Sequence, residues 1–400
     1  MNGTLGYVTP VRAFSSAREI YMQAASGRVA EALAQHYDKV YMCARVVHGA
    51  PPAPFDFPLE APNLELIEQP FWSTTAGSLF HFFGIARAYV RTCRRSDSLF
   101  VRGLCPHIAV LYLCAWFFRR PICHWIVGDP IALLRTGPRN GRAADFFALL
   151  YALQDRLFTR FGRRLTNGAL VCNGRDLARA YASPRTTEIV SSTVKECEFF
   201  PRVDTCQGKA VRILFVGFIR PEKGIENLLD ALALLKADVP WELEIVGPRE
   251  FPAYSETLNE IAVARGIRER IRWTGYVPNG KPLLDLMRAA DLLVLPTLSE
   301  GTPHVLVEAR ASGLPCISTF VGGVTSTVTD GYDALLVPPK DASSLARAME
   351  RMIVDGDSRR SLIRNGLNTA RKQTLERFTA TVVRELSANN HAERDAVPQE

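Results

Sequence analysis

A chain of 400 residues with 47% hydrophobic and 22% charged content is long enough to bury two ordinary cores and too apolar for wholesale disorder. Its net charge of +7 is gathered in residues 1–205, with 24 Lys/Arg against 16 Asp/Glu, and no nucleic-acid-binding motif accompanies it; an anionic substrate or lipid surface is a better match than DNA or RNA. The nine cysteines are odd in number and form no Cys-x-x-Cys pair, which argues against a disulfide framework or zinc site and for reduced thiols in a cytoplasmic protein.

In chain order, the first half alternates short apolar runs with amphipathic stretches. Strands are predicted at Leu5–Thr9, Lys39–Val46, Leu64–Glu68, Leu99–Val101, Ile122–Val127 and Ala169–Cys172, and helices at Arg18–His36, Leu79–Arg94, Ile108–Phe118 and Ala143–Arg163. Met1–Leu5 lacks the basic-then-apolar pattern of a secretory leader. The longest apolar run, 103–118, is broken by Pro106 and His107 and is shorter than the roughly 20 residues of a membrane span, so it reads as a buried helix. Thr9-Pro10-Val11-Arg12 follows the first strand where a nicotinamide oxidoreductase needs Gly-x-Gly-x-x-Gly, which excludes that class.

The stretch 139–164 interleaves Arg139, Arg142, Arg156, Arg160, Arg163 and Arg164 with Phe146, Phe147, Leu149, Leu150, Leu153, Leu157 and Phe158. Two readings fit: a basic amphipathic helix lying on an anionic membrane surface, or a core-facing helix with a solvated basic side. His124 lies mid-strand and reads as a core histidine.

Periodicity is lost between Ser191 and Gln207, so the first domain is expected over 1–195 and the second over 206–375. A helix and polar tail at 376–400 are expected to cross back to the first domain. The second half is more regular. Val211–Val216, Leu243–Gly247, Ile271–Gly275, Asp291–Pro296 and Pro315–Thr319 read as strands; Ile225–Lys236, Tyr254–Arg265, Pro282–Ala290 and a segment from Pro303 to Gly313 read as helices. Proline near the first turn and glycine after the last are the usual terminators of such a helix. This alternation predicts an α/β fold of two doubly wound, Rossmann-like domains.

Open parallel sheets bind ligands beyond the carboxyl ends of their strands. Three turns of the second half carry suitable residues there. Gly217-Phe218-Ile219-Arg220-Pro221-Glu222-Lys223-Gly224 offers a guanidinium and an ammonium for a diphosphate. Gly247-Pro248-Arg249 has a glycine that permits close approach of a flat base. Glu300-Gly301-Thr302-Pro303-His304-Val305-Leu306-Val307-Glu308 sets two carboxylates, suited to polyol hydroxyls, on either side of a helix start whose free N–H groups suit phosphate.

The run from about Val211 to Leu345 resembles the donor domain of the family 4 retaining glycosyltransferases. The resemblance rests on Glu300 and Glu308 as a Glu-x7-Glu pair, followed by Glu308-Ala309-Arg310-Ala311-Ser312-Gly313-Leu314-Pro315, Val321-Gly322-Gly323 and Asp330-Gly331-Tyr332-Asp333-Ala334-Leu335-Leu336-Val337-Pro338-Pro339 in the family's order. It implies a GT-B fold, with two Rossmann-like domains facing each other across a cleft. It further implies that Glu300 meets the donor sugar, that Glu308 holds the ribose, and that Pro303, His304 and Val305 face the phosphates with Arg220 and Lys223. The base would lie near Gly247, Tyr276 and Val277, and Gly217 would also line the donor site. Phe218 departs from the family, which usually has Arg there; Arg220 is the candidate to take its place. Thr325-Ser326 stands where the family often has Glu. In the first domain, Asp129 falls where the family places a polar group at the reaction centre.

The resemblance implies metal-independent transfer from a UDP- or GDP-type nucleotide sugar to a glycan or lipid-linked acceptor, with retention of configuration and without a protein nucleophile. Synthesis of bacterial-type cell-surface polysaccharide is the expected setting, at the inner face of the membrane, with no other cofactor. The alternative is a non-catalytic partner subunit that keeps the fold.

Overall fold

The computed structural model describes residues 3–16, 19–128, 131, 142–236 and 240–394. The chain divides into two compact units, Met1–Val190 with Leu375–Glu400, and Ser191–Thr374.

In the first unit, β1 (Thr4–Val8), β2 (Ala13–Ser16), β3 (Glu19–Met22), α1 (Ala24–Ala34), β4 (Lys39–His48), β5 (Phe57–Pro58) and β6 (Leu64–Gln69) are followed by α2 (Thr75–Phe80) and α3 (Phe82–Arg95). Then come β7 (Ser98–Arg102), α4 (Ile108–Phe117), β8 (Ile122–Ile126), α5 (Arg142–Leu165), β9 (Ala169–Asn173), α6 (Arg175–Ala180) and β10 (Thr186–Ile189). A parallel sheet runs β10-β9-β8-β7-β1-β4-β6. Its order reverses between β7 and β1, the place where a doubly wound sheet leaves a crevice. β7, β8 and β9 are buried along their whole length, as strands covered on both faces must be.

Two expectations are corrected here. The helix expected over Arg18–His36 starts only at Ala24, because Glu19–Met22 pairs antiparallel with β2 and with β5 at the far end of β4. Strand pairing outweighs a helical pattern at its own N-terminal end. The helix expected over Leu79–Arg94 is two helices that meet at His81.

The second unit contains β11 (Val211–Val216), α7 (Ile225–Leu234), β12 (Trp241–Val246), α8 (Pro252–Ala264), β13 (Ile271–Gly275), α9 (Lys281–Ala289), β14 (Leu292–Leu295) and α10 (His304–Ala311). It continues with β15 (Cys316–Thr319), α11 (Val324–Thr327), β16 (Leu335–Val337), α12 (Ala342–Val354) and α13 (Gly356–Ala370). Its six strands are all parallel, in the order β13-β12-β11-β14-β15-β16, with the reversal between β11 and β14. Leu292–Leu295 is wholly buried at the centre, each side chain adding about 1.5–3 kcal/mol of burial.

The expected joint at 191–207 belongs instead to the second unit, so the boundary lies at 190/191. The segment lacks periodicity because it is a strap held by specific polar contacts. Phe200 N donates to Ala311 O at 2.9 Å, and the Arg202 guanidinium donates to the Gly313 and Arg288 carbonyls at 2.9 Å each. Asp204 pairs with Arg359 at 2.6 Å, and Cys206 N donates to Asp291 Oδ1 at 2.8 Å.

The chain returns to the first unit with the helix Leu375–Arg394. Leu375, Phe378, Val382 and Leu386 are buried in the first core, and the Phe378 ring lies 4.7 Å from that of Trp125. Among the described residues, no helix is long and apolar enough to cross a membrane.

Candidate functional site

The reversal between β11 and β14 gathers residues that are far apart in sequence. After β11 the chain makes a short turn, Pro221–Lys223, ending at Gly224 in the left-handed region at φ 63°. A Cβ at Gly224 would lie 2.3 Å from the Pro296 carbonyl, so only glycine lets this loop rest on the end of β14. Thr297 Oγ1 and Leu298 N both donate to Glu222 O, at 3.1 and 2.8 Å, and lock the two loops together. The result is an ion pair across the switch point: Lys223 Nζ donates to Glu300 Oε1, with both side chains mostly buried.

Glu300 is held from below by the Gly322-Gly323 pair. Gly323 N donates to Glu300 O at 3.0 Å, and a Cβ at Gly322 or Gly323 would approach the Glu300 or Gly301 carbonyl to 2.3 or 1.5 Å. That contact is a physical reason for two consecutive glycines at this point.

From Glu300 the loop turns into α10, whose N-cap Pro303 has no side-chain cap. The start of that helix thus lacks a side-chain cap, and the positive end of its dipole lies there. His304 is fixed by a hydrogen bond between its Nε2 and Ser191 Oγ at 3.0 Å. Val305 packs against the core. One turn on, Glu308 is buried, and its Oε1 accepts from Thr193 Oγ1 at 2.6 Å and Asn279 Nδ2 at 2.7 Å. Burying a carboxylate is costly unless donors meet it, and these two do.

Arg310, two residues further, makes a buried ion pair with Asp333 at 2.5 Å and donates to Gln373 Oε1 at 2.8 Å. The Ala309-Arg310 and Tyr332-Asp333 parts of the sequence pattern thus tie α10 to the loop before β16. Removing one partner of so buried a pair costs about 3–5 kcal/mol.

Gly217 and Gly247 follow β11 and β12 side by side, where a Cβ on Gly247 would lie 1.8 Å from Gly217 O. Gly247 N donates to Gly275 O at 2.8 Å, which brings the end of β12 beside Tyr276 and Val277 after β13. Arg220 donates to Glu250, and its guanidinium lies 4.9 Å above the Phe218 ring. Phe218 therefore serves as a platform for Arg220.

The carboxyl edge of β13, β12, β11 and β14 thus brings together Arg220, Lys223, Glu300, Glu308, Gly217, Gly247, Tyr276, Val277 and Pro303 to Val305. Asp129 lies outside the described residues, as does Arg139. Ser191, Thr193 and Asn279 were not anticipated. Asn279-Gly280 is a turn dipeptide directly before α9 and was the available signal; nothing local marks Ser191 or Thr193. His124, buried in the first unit, bonds to Tyr112 Oη at 3.0 Å and Gly103 O at 2.8 Å, and burial lowers its pKa to about 4. It is a neutral core residue.

Residues 198–369 match the family model for glycosyl transferases group 1. That match covers most of the second unit. A D-inositol 3-phosphate glycosyltransferase of Jonesia denitrificans is 32% identical over 237 residues, covering 54% of this chain and 55% of that protein. The chain spans about half the length of the curated relatives it matches. Sucrose-phosphate synthase from Thermosynechococcus elongatus has a similar fold, with a TM-score of 0.71 at 17% identity over 96% of this chain and 99% of that one. Anabaena HepE in complex with UDP has a TM-score of 0.70 at 16% identity over 96% and 100%. The fold is GT-B, and both units of the chain share in the likeness.

Proposed function

We propose that the chain is a glycosyltransferase that takes a sugar from a UDP- or GDP-type nucleotide sugar and passes it, with retention of configuration, to a glycan or lipid-linked acceptor. The observation that carries this reading is the Lys223–Glu300 ion pair at the switch point, set beside the uncapped N-terminus of α10 and the buried carboxylate of Glu308. The pair keeps two charges ready. When a donor enters, its diphosphate takes Lys223 and its sugar hydroxyls take Glu300, so each charge exchanges one partner for another. Arg220 sits at the rim, and Glu308 accepts from ribose hydroxyls while Thr193 and Asn279 fix its direction. As the glycosidic bond breaks, charge grows on the leaving diphosphate, where Lys223 and the dipole of α10 stabilise it. This scheme assigns no step to a metal ion or to a protein nucleophile. The kinship of the second unit and the fold of HepE, whose structure holds UDP, support the nucleotide-sugar reading.

A thermal-shift series with UDP, GDP and ADP tests it. A nucleotide present at 100 times its Kd stabilises the folded state by about 2.7 kcal/mol. No shift with any of the three would overturn the donor site.

An anionic membrane surface completes the reading, and the orientation of α5 supports it. That helix buries a small-residue face of Ala152, Asp155, Thr159 and Gly162. It exposes Phe146, Phe147, Leu150, Leu153, Leu157 and Phe161, with Arg160 and Arg164 beside them. Gly162 is needed because a Cβ there would meet the Tyr112 ring of α4 at 2.2 Å. A surface helix ordinarily turns its apolar face inward; this one turns it outward, the arrangement of an interfacial helix. Setting would then be the inner face of a membrane and the product a cell-surface glycan. Flotation with anionic liposomes at low salt checks the surface; a protein that stays at the bottom of the gradient rules it out.

A further inference from the structure

Away from the donor loops, the second unit concentrates positive charge on one helix. Residues 206–400 are close to neutral as a whole, with 24 Lys/Arg against 25 Asp/Glu, yet 358–375 holds four Arg and one Lys and no acid. α13 winds Arg360 and Arg364 onto one face at i, i+4, and Arg371 follows at its C-cap. Like charges at that spacing repel one another. The helix dipole accounts for Arg371 and Lys372 at the carboxyl end; it does not account for Arg360 and Arg364.

Beside this face the strap, at Arg202 and Val203, completes a cleft of about 530 Å³. The arginines around it differ in how far they are answered. Arg360 meets Asp204 at 3.0 Å and Asp357 at 2.5 Å, and Asp204 is shared with Arg359. Those two acids balance those two cations. Arg202 is held by the Gly313, Arg288 and Met287 carbonyls, which fix the guanidinium without cancelling its charge. Arg371 donates to the neutral Asn368 amide at 3.2 Å. Arg364 has neither a hydrogen bond nor an ion pair among the described residues. Arg202, Arg364 and Arg371 thus remain as three charges with no carboxylate in contact among the described residues.

The cleft is not part of the donor site. Donors enter an open parallel sheet at the carboxyl ends of its strands. The strap runs along the other edge: Cys206 N bonds to Asp291, just before β14, and Arg202 bonds to Gly313 O, after α10 and before β15. The eight residues of α10, about 12 Å of helix, separate Gly313 from the helix start beside Glu300.

We propose that this cleft binds a small polyphosphate anion, a diphosphate or triphosphate group free or as an ester, with Arg364 and Arg371 as its main contacts and Ser361 beside them. Guanidinium forks match phosphate oxygens two at a time, and the bound anion would supply the counter-charge that the protein leaves out. One phosphate carries about −1.5 to −2 and does not balance three guanidiniums. The volume exceeds the roughly 300 Å³ at which small-molecule pockets begin, room for more than one phosphate. The proposal does not rest on the transferase reading.

The test is calorimetry on the full chain at low ionic strength, where exposed charges are least screened. The probes are inorganic phosphate, pyrophosphate and tripolyphosphate. Two proteins are compared, Lys223→Ala and Lys223→Ala/Arg364→Ala/Arg371→Ala; the shared change makes any binding at the donor loops equal in both. Arg364 and Arg371 are exposed, so their loss should leave the Tm without ligand unchanged or slightly higher. The expected result is affinity that rises from phosphate to tripolyphosphate in the first protein, and a tripolyphosphate Kd about tenfold or more weaker in the second. Equal Kd values in the two proteins, or no binding to either, overturns the site. Tripolyphosphate bound no more tightly than phosphate overturns the polyphosphate assignment.

Discussion

The two units fold by the same rule and finish it differently. Each is a parallel sheet whose order reverses once, and each gathers charged residues at that reversal. In the second unit every charge there is answered by a neighbour: Lys223 by Glu300, Arg220 by Glu250, Glu308 by Thr193 and Asn279. In the first unit Asp155 lines a cavity with Arg102 and is left with no hydrogen-bond partner at Oδ1 among the described residues. A site of matched charges binds by exchanging partners, so its residues are interdependent and its empty form is stable. A site with an orphaned group is destabilised by it. The two reversals should therefore respond to substitution with opposite signs.

The largest expected effect is at Glu300. Glu300→Ala should lower transfer by about 10²–10³-fold, the usual cost of one group that stabilises the transition state, and should also lower Tm, because Lys223 loses its partner. Activity at the parent level in this variant would remove Glu300 from the chemistry.

Next is Asp155→Asn, which should stabilise the protein. The carboxyl pKa is raised by burial from 3.8 to about 7, so the folded state retains a proton that the unfolded chain releases. The contribution of this group to stability is thus largest below about pH 4, falls as pH rises toward 7, and stays at its reduced level above that. The gain from Asp155→Asn should be near zero at pH 4 and on the order of 4 kcal/mol at pH 8. Denaturant melts of both proteins at the two pH values measure it, and a gain of equal size at both would show that the carboxyl is not what burial penalises.

Lys223→Ala follows. It removes a charge-assisted contact worth about 1.5–3 kcal/mol and should raise the Kd for a nucleoside diphosphate by about 10–100-fold, read by calorimetry. The smallest effect belongs to Arg220→Ala, about tenfold or less on the same Kd, because the guanidinium is partly exposed and already engaged by Glu250. If Arg220 proves the stronger of the two, the mouth of the site matters more than its centre.

The second unit was legible because its signals are local. Short apolar runs end in glycine, and Glu300 and Glu308 flank a helix start within nine residues. Gly322-Gly323 was readable as a motif, but its reason, backbone contact with Glu300 and Gly301, exists only after folding. Thr193 and Ser191 were hidden because their partners are over 110 residues away. The first unit was harder throughout. β3 was masked by a helical pattern, and the strand pairing that overrides it is long-range. For α5 the sequence left open whether its apolar stripe faces inward or outward. Asp155, Thr159 and Gly162 share a face at helical spacing with Ala152, and that small-residue face was the one clue that it turns outward.

The helix Leu375–Arg394 has a further consequence, for the order of assembly. The second unit is one continuous stretch, 191–374, and can close as soon as it has left the ribosome. The first unit emerges earlier but lacks Phe378, Val382 and Leu386 for its core until the second unit has been made and the helix after it has followed. Domains usually complete themselves from the N-terminus onward during synthesis. Here the later unit should be sealed first, and for that interval the earlier one presents Phe100 and Trp125 uncovered, which makes it the vulnerable partner for chaperones and proteases.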